Sequence, residues 1–474
     1  MLAAAVKDRA EVAVADLVLR REDVPGAIRE AMEKVRPRLV GISAMTFQYP
    51  TARKIAAAVR ALDPSVPIVL GGYHASLAHR SIADDPEAGV DFIVRGEGEE
   101  TFRELVDALS GGGDVSSIKG LSYKKDGAFV HNPDRPLLSL ADLPLPDRAS
   151  RIWGGYNVFG RPFDFIESSR GCSLTCSFCS ITRHYGRGQR VFDIPRVLED
   201  ARAAAARGTE QLFFVDDNIT LDPARFESLL DALIESPVPG LTYSTQTSVD
   251  GLYGRPGLIE KMVRAGFALI YVGVENMSRR NLEYFKKGDI SQKTGWVLER
   301  LHRAGVIVMG GFIIGTPDDT REDIVSQFEF MRRAPIDGFL IQVLTPYPGT
   351  PLTGELEAKG YVVNRDLRRY SGFFANVRTD TLSSRELDFL KWKHTPYFRS
   401  PGWFLRSRAM QRYARPLFRT EGFRRVGEFF SEHLSVLFRG EERTFLRYCE
   451  DHLNSNRFFG EPRIVPSWPD AKGD

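Results

Sequence analysis

The sequence predicts an α/β protein in three parts: an N-terminal doubly wound, Rossmann-like domain, a partial (β/α)6 barrel and a helical C-terminal region. Three observations predict it. Short apolar runs alternate with helical patterns from the start of the chain to about Leu109. The same alternation resumes between Phe163 and Leu344, with six strand-like runs. After about Ser383 the strand signals stop. Buried apolar runs alternating with helices imply parallel sheets covered by helices on both faces. A chain of 474 residues also exceeds one ordinary domain.

In the first part, Glu11 to Leu19 reads as a strand and Ala27 to Val35 as a helix. Leu39 to Ser43 is a short strand, Thr51 to Leu62 a helix, and Pro67 to Leu70 a buried strand closed by Gly71-Gly72. Asp91 to Val94 is another strand, followed by Gly96-Glu97-Gly98 and a helix from Glu100 to Leu109. A ligand of such a sheet belongs at the turns after its strands. Leu121-Ser122-Tyr123 and Ala128-Phe129-Val130 form a candidate hairpin. Leu143-Pro144-Leu145-Pro146-Asp147 reads as an extended linker, because each proline disfavours helix in the residue before it.

The six barrel strands are expected at Asp164–Glu167, Gln211–Val215, Thr242–Thr245, Leu269–Val274, Val306–Ile314 and Phe339–Leu344. Helical patterns between them include 196–207, 223–234, 292–304 and 321–333. Six units suit a partial barrel, whose site is built by loops after the strands. The expected domains are 1–112, 113–155 (hairpin and linker), 156–382 (barrel) and 383–474 (helical).

Net charge is +2, which gives no argument for nucleic acid or an acidic partner. No run of 18 apolar residues implies a membrane span, and the first residues are too soon charged for a signal peptide, so a cytoplasmic location is expected. Between Thr395 and Gly440 nine arginines face three glutamates among many phenylalanines. A packed helical cap is the plain reading of this tail, and peripheral membrane contact the alternative.

There are four cysteines, far too few for a disulfide framework, and three of them lie in Arg170-Gly171-Cys172-Ser173-Leu174-Thr175-Cys176-Ser177-Phe178-Cys179. This segment follows the first barrel strand, where active sites of such folds sit. Three thiolates on one loop can hold an iron–sulfur cubane and leave one iron open to a substrate's amino and carboxylate groups. The rival readings are a zinc site with His184 as fourth ligand, or a thiol–disulfide pair at Cys176 and Cys179. Cys449, in an apolar helical stretch, reads as a core cysteine.

The CxxxCxxC motif at Cys172, Cys176 and Cys179 resembles that of the radical SAM superfamily, over about Phe163 to Pro351. The resemblance implies a [4Fe–4S] cluster on those cysteines and S-adenosylmethionine (SAM) on the open iron. It further implies a backbone contact from Phe178 to the adenine, and Asp216 and Asp217 near the SAM amino group, where the family has a Gly-Gly-Glu-like motif. Ser244 and Gln246 follow on the third strand, and Glu275 reaches toward the ribose. Gly311 and Ile313 lie along the adenine. The plain reading of the aspartates is a helix cap. Arg170 and Arg183 flank the loop and either suits the SAM carboxylate or a surface ion pair.

A doubly wound domain before such a core resembles the cobalamin-dependent subgroup. The matching residues are Val40-Gly41-Ile42-Ser43, Leu70-Gly71-Gly72-Tyr73-His74 and Val94-Arg95-Gly96-Glu97-Gly98-Glu99. Cobalamin contacts are implied for Ser43, Gly71, Gly72, Tyr73, Gly96, Glu97 and Gly98. There is no Asp-x-His-x-x-Gly motif, so no histidine ligand to cobalt is expected. The chain starts where the family has completed its first strand, which implies a shortened domain with impaired cobalamin affinity. His74 reads as a loop histidine with an ordinary hydrogen bond.

The resemblance thus implies an oxygen-sensitive radical SAM enzyme. It would cleave SAM to a 5′-deoxyadenosyl radical and methylate an unactivated carbon of a small-molecule or peptide substrate with cobalamin. An electron donor such as flavodoxin or ferredoxin is implied. A radical oxidative cyclase is the alternative within the family, and a non-catalytic zinc or iron–sulfur sensor the alternative outside it.

Overall fold

Ile68, Val69 and Leu70 are almost wholly buried, as expected for a strand covered on both faces. They form β2 (Ile68–Gly71), which pairs in parallel with β1 (Val40–Ser43) and β3 (Phe92–Val94). Ile68, Leu70 and Ile93 face α3 (Tyr49–Leu62) and α4 (Tyr73–Ala83), while Val69 and Val94 face Leu105 of α5 (Gly98–Gly111). The computed structural model describes residues 1–158, 160–395, 407 and 440–470.

The hairpin of β4 (Leu121–Lys125) and β5 (Ala128–His131) continues this sheet antiparallel to β3, giving the order β1-β2-β3-β4-β5. It therefore belongs with the first layer and is not merely part of a linker. Glu11 to Leu19 is a correction. Only Val14 makes a bridge, to Arg151, and Val14 N donates to Ser150 O. The run is apolar but pairs with no described strand: Val14 and Val18 are exposed, and Leu17–Arg20 forms a 3-10 turn. The helix α1 (Leu2–Val6) packs on α5.

All six expected barrel strands are present and parallel. They are β7 (Arg161–Ile166), β10 (Gln211–Phe214), β11 (Thr242–Ser248), β12 (Phe267–Glu275), β13 (Ile307–Ile314) and β14 (Gly338–Val343). The short β6 (Asn157–Val158) adds antiparallel to the edge of β7. Leu212, Phe214, Ile270, Val272, Val308, Ile341 and Val343 join the main core under α7 (Ile194–Ala205), α8 (Pro223–Glu235), α10 (Pro256–Arg264), α12 (Ser291–Arg303) and α13 (Arg321–Arg333). Side chains alternate along a strand, so Phe165, Phe213, Ser244, Leu269 and Ile307 share the concave face in one register row. Gln246, Tyr271 and Met309 share the next.

Of the C-terminal region, α15 (Ser384–His394) and α16 (Glu441–Asn454) are described. Cys449 is buried between them beside Trp392 and Phe445, a core cysteine as expected. The Arg- and Phe-rich stretch lies almost entirely outside the described residues. No described helix is long and apolar enough to cross a membrane.

Candidate active site

The cysteine loop leaves the barrel after β7. Its ends are closed by β8 (Ser169–Arg170) pairing antiparallel with β9 (Arg190–Val191). The carboxylate of Asp216, fully buried just past β10, accepts from Ser168 N at 3.0 Å, Ser168 Oγ at 2.6 Å and Ser169 Oγ. Asp217 accepts from Gly171 N at 2.8 Å. Gly171 has φ +87°, and a Cβ there would lie 2.5 Å from Gly188 O, so no other residue fits without a shift. On the far flank, Ser177 N donates to Phe285 O at 2.9 Å and Ser177 Oγ to Tyr284 O at 3.1 Å. Leu352 N, in α14 (Pro351–Ala358), donates to Ser177 O. The loop is thus fixed from three directions.

Cys172 is buried, Cys176 and Cys179 are half-buried, and all three are free thiols. Burial raises the pKa of each, that of Cys179 to about 12, and the neighbouring thiols add to the rise at Cys176 and Cys179. Such thiols ionise only against strong positive charge, which suits a thiolate-ligated iron cluster. Among the described residues no three His, Cys, Asp or Glu side chains converge on a single-ion position. His184, offered above as a fourth zinc ligand, instead stacks on Tyr73 with ring centroids 4.2 Å apart. Burial lowers its pKa to about 4.

Beside the thiols, the register of β12 shifts between Gly273 and Glu275, and Glu275 sits at φ +63°. A bulge of this kind re-aims a side chain, and a non-glycine residue in the left-handed region is held there by its surroundings. Glu275 pairs with Lys287 Nζ at 2.8 Å. Lys287 is almost entirely buried and lies in the field of Cys176 and Cys179. Sequence reasoning missed Lys287; its only signal was a lysine pair before Gly288, twelve residues beyond Glu275.

Phe178 and Ile313 are brought together. The Phe178 ring meets Phe285 edge-on at 5.3 Å, in an apolar cluster with Ile313, Leu344 and Leu352. Gly311 lies under Tyr271, whose phenol oxygen would be 2.1 Å from a Cβ at that position. Its missing side chain makes room for Tyr271. Ser244 and Gln246 lie on the concave face of β11.

Two expectations are corrected. Asp216 has three donors on its carboxylate and no exposed surface, so it anchors the loop and has no reach to a SAM ammonium. Asp217 is only partly enclosed, with its pKa raised to about 6 by burial. The Glu97 side chain is likewise committed: it accepts from Arg170, from Arg190 and from Leu138 N at 2.9 to 3.0 Å. What Glu97 leaves to a ligand is backbone. Arg170 is closed off by carboxylates, and Arg183 is exposed on α6 (Ile181–His184).

Ser43, Gly71, Gly72 and Gly96 gather at the C-terminal edge of the first sheet. Gly72 has φ +90°, and a Cβ there would meet Ser43 Oγ at 2.8 Å and Ala44 N at 2.9 Å. The space a Cβ of Gly96 would enter is open. This ledge of backbone and small side chains fits a large planar group such as a corrin. Gly98 faces away from it, toward Leu2 and Val94. Tyr73 points from the ledge to His184 and Tyr185 of the cysteine segment. His74 is buried against Tyr49, with no partner at Nδ1, in place of the hydrogen bond expected.

Residues 1–106 match the B12 binding domain and residues 166–331 the radical SAM superfamily. An uncharacterized methyltransferase of Pyrococcus horikoshii is 32% identical over 392 residues, 82% of this chain and 84% of the relative. The chain belongs to the B12-binding branch of the radical SAM superfamily. As a radical SAM enzyme of that branch it takes a [4Fe–4S] cluster, SAM and cobalamin. The anaerobic magnesium-protoporphyrin IX monomethyl ester cyclase of Rubrivivax gelatinosus is 24% identical over 76% of this chain and 65% of its own. Among solved structures, the radical SAM methyltransferase TsrM from Kitasatospora setae superposes with TM-score 0.63 at 21% identity, covering 76% of this chain and 72% of that one. The cobalamin-dependent radical enzyme OxsB gives 0.64 at 14% identity, covering 91% and 66%. These two likenesses concern the fold. The residues present fit both protein-held groups: three free thiols on a fixed loop for the cluster, and an open glycine ledge for the corrin.

Proposed function

We propose that this radical SAM enzyme methylates an unactivated carbon of a small-molecule or peptide substrate, using cobalamin. When bound, the cluster supplies the electron that cleaves SAM to a 5′-deoxyadenosyl radical, and cobalamin supplies a transferable methyl group. The observation that carries the reading is the junction of the two sites. Arg170, two residues before Cys172, bonds directly to Glu97, the residue that caps α5 beside the ledge. The methyltransferase name of the Pyrococcus relative supports it.

The chain's own residues take these roles in the proposal. Cys172, Cys176 and Cys179 hold the cluster. Asp217 accepts from the SAM ammonium, and Lys287 holds the carboxylate by a charge-assisted bond. Glu275, Ser244 and Gln246 supply polar contacts, and Phe178 and Ile313 flank the adenine, with Gly311 behind Tyr271. Ser43, Gly71, Gly72, Tyr73, Gly96 and the Glu97 backbone border the corrin, while Gly98 serves the packing of α5. Phe163, Phe165 and Phe213 form an apolar aromatic wall on the concave face, with Phe165 44% exposed, for the substrate. A flavodoxin or ferredoxin class donor delivers the electron.

The test is a co-product count. The reconstituted, reduced enzyme is supplied with SAM, hydroxocobalamin and a small-molecule extract of its source cells. Methylation yields S-adenosylhomocysteine together with 5′-deoxyadenosine. Release of 5′-deoxyadenosine alone, with a substrate that loses hydrogen, overturns methylation in favour of a radical cyclisation, in line with the cyclase name of the Rubrivivax relative.

A further inference from the structure

We infer that Arg170 is the positioning residue that couples the two cofactor sites, so that loading one changes the affinity of the other. The side chain of Arg170 is 5% exposed and divides its guanidinium between two parts of the fold. Its Nε and Nη2 donate to Glu167, on its own loop, at 3.0 Å. Its Nη1 donates to Glu97 at 3.0 Å and its Nη2 to Glu99 at 2.8 Å, both at the start of α5 in the first domain. Arg190, the register partner of Arg170 across β8 and β9, holds both oxygens of Glu97 at 2.9 and 3.0 Å. Leu138 N completes that carboxylate.

Two arginines therefore grip one buried glutamate from the base of the cysteine loop. Glu97 directly follows Gly96, part of the proposed corrin ledge. Arg170 is followed by Gly171, which Asp217 holds, and then by Cys172. A displacement at either site is transmitted through a buried fork with fixed geometry, because removing one partner strands a buried charge. Coupling between two sites is reciprocal and typically about 5-fold to 150-fold in affinity.

The inference rests on the cofactor reading above and is tested separately from it. Hydroxocobalamin binding is titrated by its visible spectrum on the full chain, with and without anaerobic cluster reconstitution. The wild type is expected to bind with affinities that differ about 5-fold or more between the two states. Arg170→Met is expected to bind with equal affinity in both, and Glu97→Gln to show a reduced difference. Arg161→Met, which loses an ion pair with Glu210 on the far strand edge, is expected to keep the wild-type difference. Should Arg170→Met not fold by circular dichroism, Arg170→Lys decides, since it keeps the charge but cannot span three carboxylates. Absence of any difference in the wild type, or its persistence in the Arg170 variant that folds, overturns the coupling. A protein that takes up neither group overturns the parent reading instead.

Discussion

Glu275 and Lys287 form a 2.8 Å ion pair over Gly273, in the electrostatic field of Cys176 and Cys179. The pair exists because the bulge in β12 turns Glu275 inward and because Gly273 leaves the space it occupies. It places a second buried cation, besides Arg170, next to the cluster loop. Lys287→Met should leave the brown chromophore in place and weaken SAM binding. A lost charge-assisted hydrogen bond of about 1.5 to 3 kcal/mol corresponds to roughly 10-fold to 150-fold in affinity. Titration of the reduced cluster's paramagnetic signal with SAM measures this directly, and unchanged affinity rejects the role.

The three clustered cysteines should differ sharply from the fourth. Alanine at Cys172, Cys176 or Cys179 is expected to abolish cluster assembly, read as iron, labile sulfide and visible absorbance after reconstitution. Cys449→Ala, in the core beside Trp392 and Phe445, should keep full iron loading while lowering the melting temperature.

Tyr271 fills the space left by Gly311, so the two positions should be energetically coupled. Gly311→Ala forces a Cβ against the ring and should cost about 1 to 3 kcal/mol. Tyr271→Ala combined with Gly311→Ala should recover part of that loss. Denaturant unfolding of the two single variants and the double variant gives the coupling. Additive effects would mean that the ring moves freely out of the way.

Asp217 provides a pH test in the cluster-free protein. Burial raises its pKa from 3.8 to about 6, so the folded state binds more protons than the unfolded state between these values. The contribution of Asp217 to stability should therefore fall as pH rises from about 4 to about 6 and level off above. The contribution is on the order of 3 kcal/mol. Asp217→Asn, which keeps an acceptor for Gly171 N, should flatten this slope. The difference in melting temperature between the wild type and Asp217→Asn across that range checks the sign: the wild type should lose ground to the variant as pH rises, and a gain contradicts it.

Much of this architecture is legible in the sequence because burial writes itself locally. Runs such as Leu269 to Val274 and Val306 to Ile314 are apolar on both faces and short, and the glycines after β2 and β3 mark the ledge. Glu11 to Leu19 differs because a short apolar run looks the same whether it enters a sheet or only bridges to a linker such as 150–152. Asp216 and Asp217 were inseparable because adjacent residues at a strand end point to opposite sides, and only the fold shows which side holds Ser168 and Ser169. Glu97 and Arg170 are 73 residues apart, and no local pattern announces their pairing.

The most direct test of the account is 5′-deoxyadenosine release by the full chain after anaerobic reconstitution with iron and sulfide, reduction and addition of SAM. The wild type should release it, and variants lacking Cys172, Cys176 or Cys179 should release none. A wild-type protein that carries the cluster and binds SAM yet releases none, or a cysteine variant that still does, would contradict it.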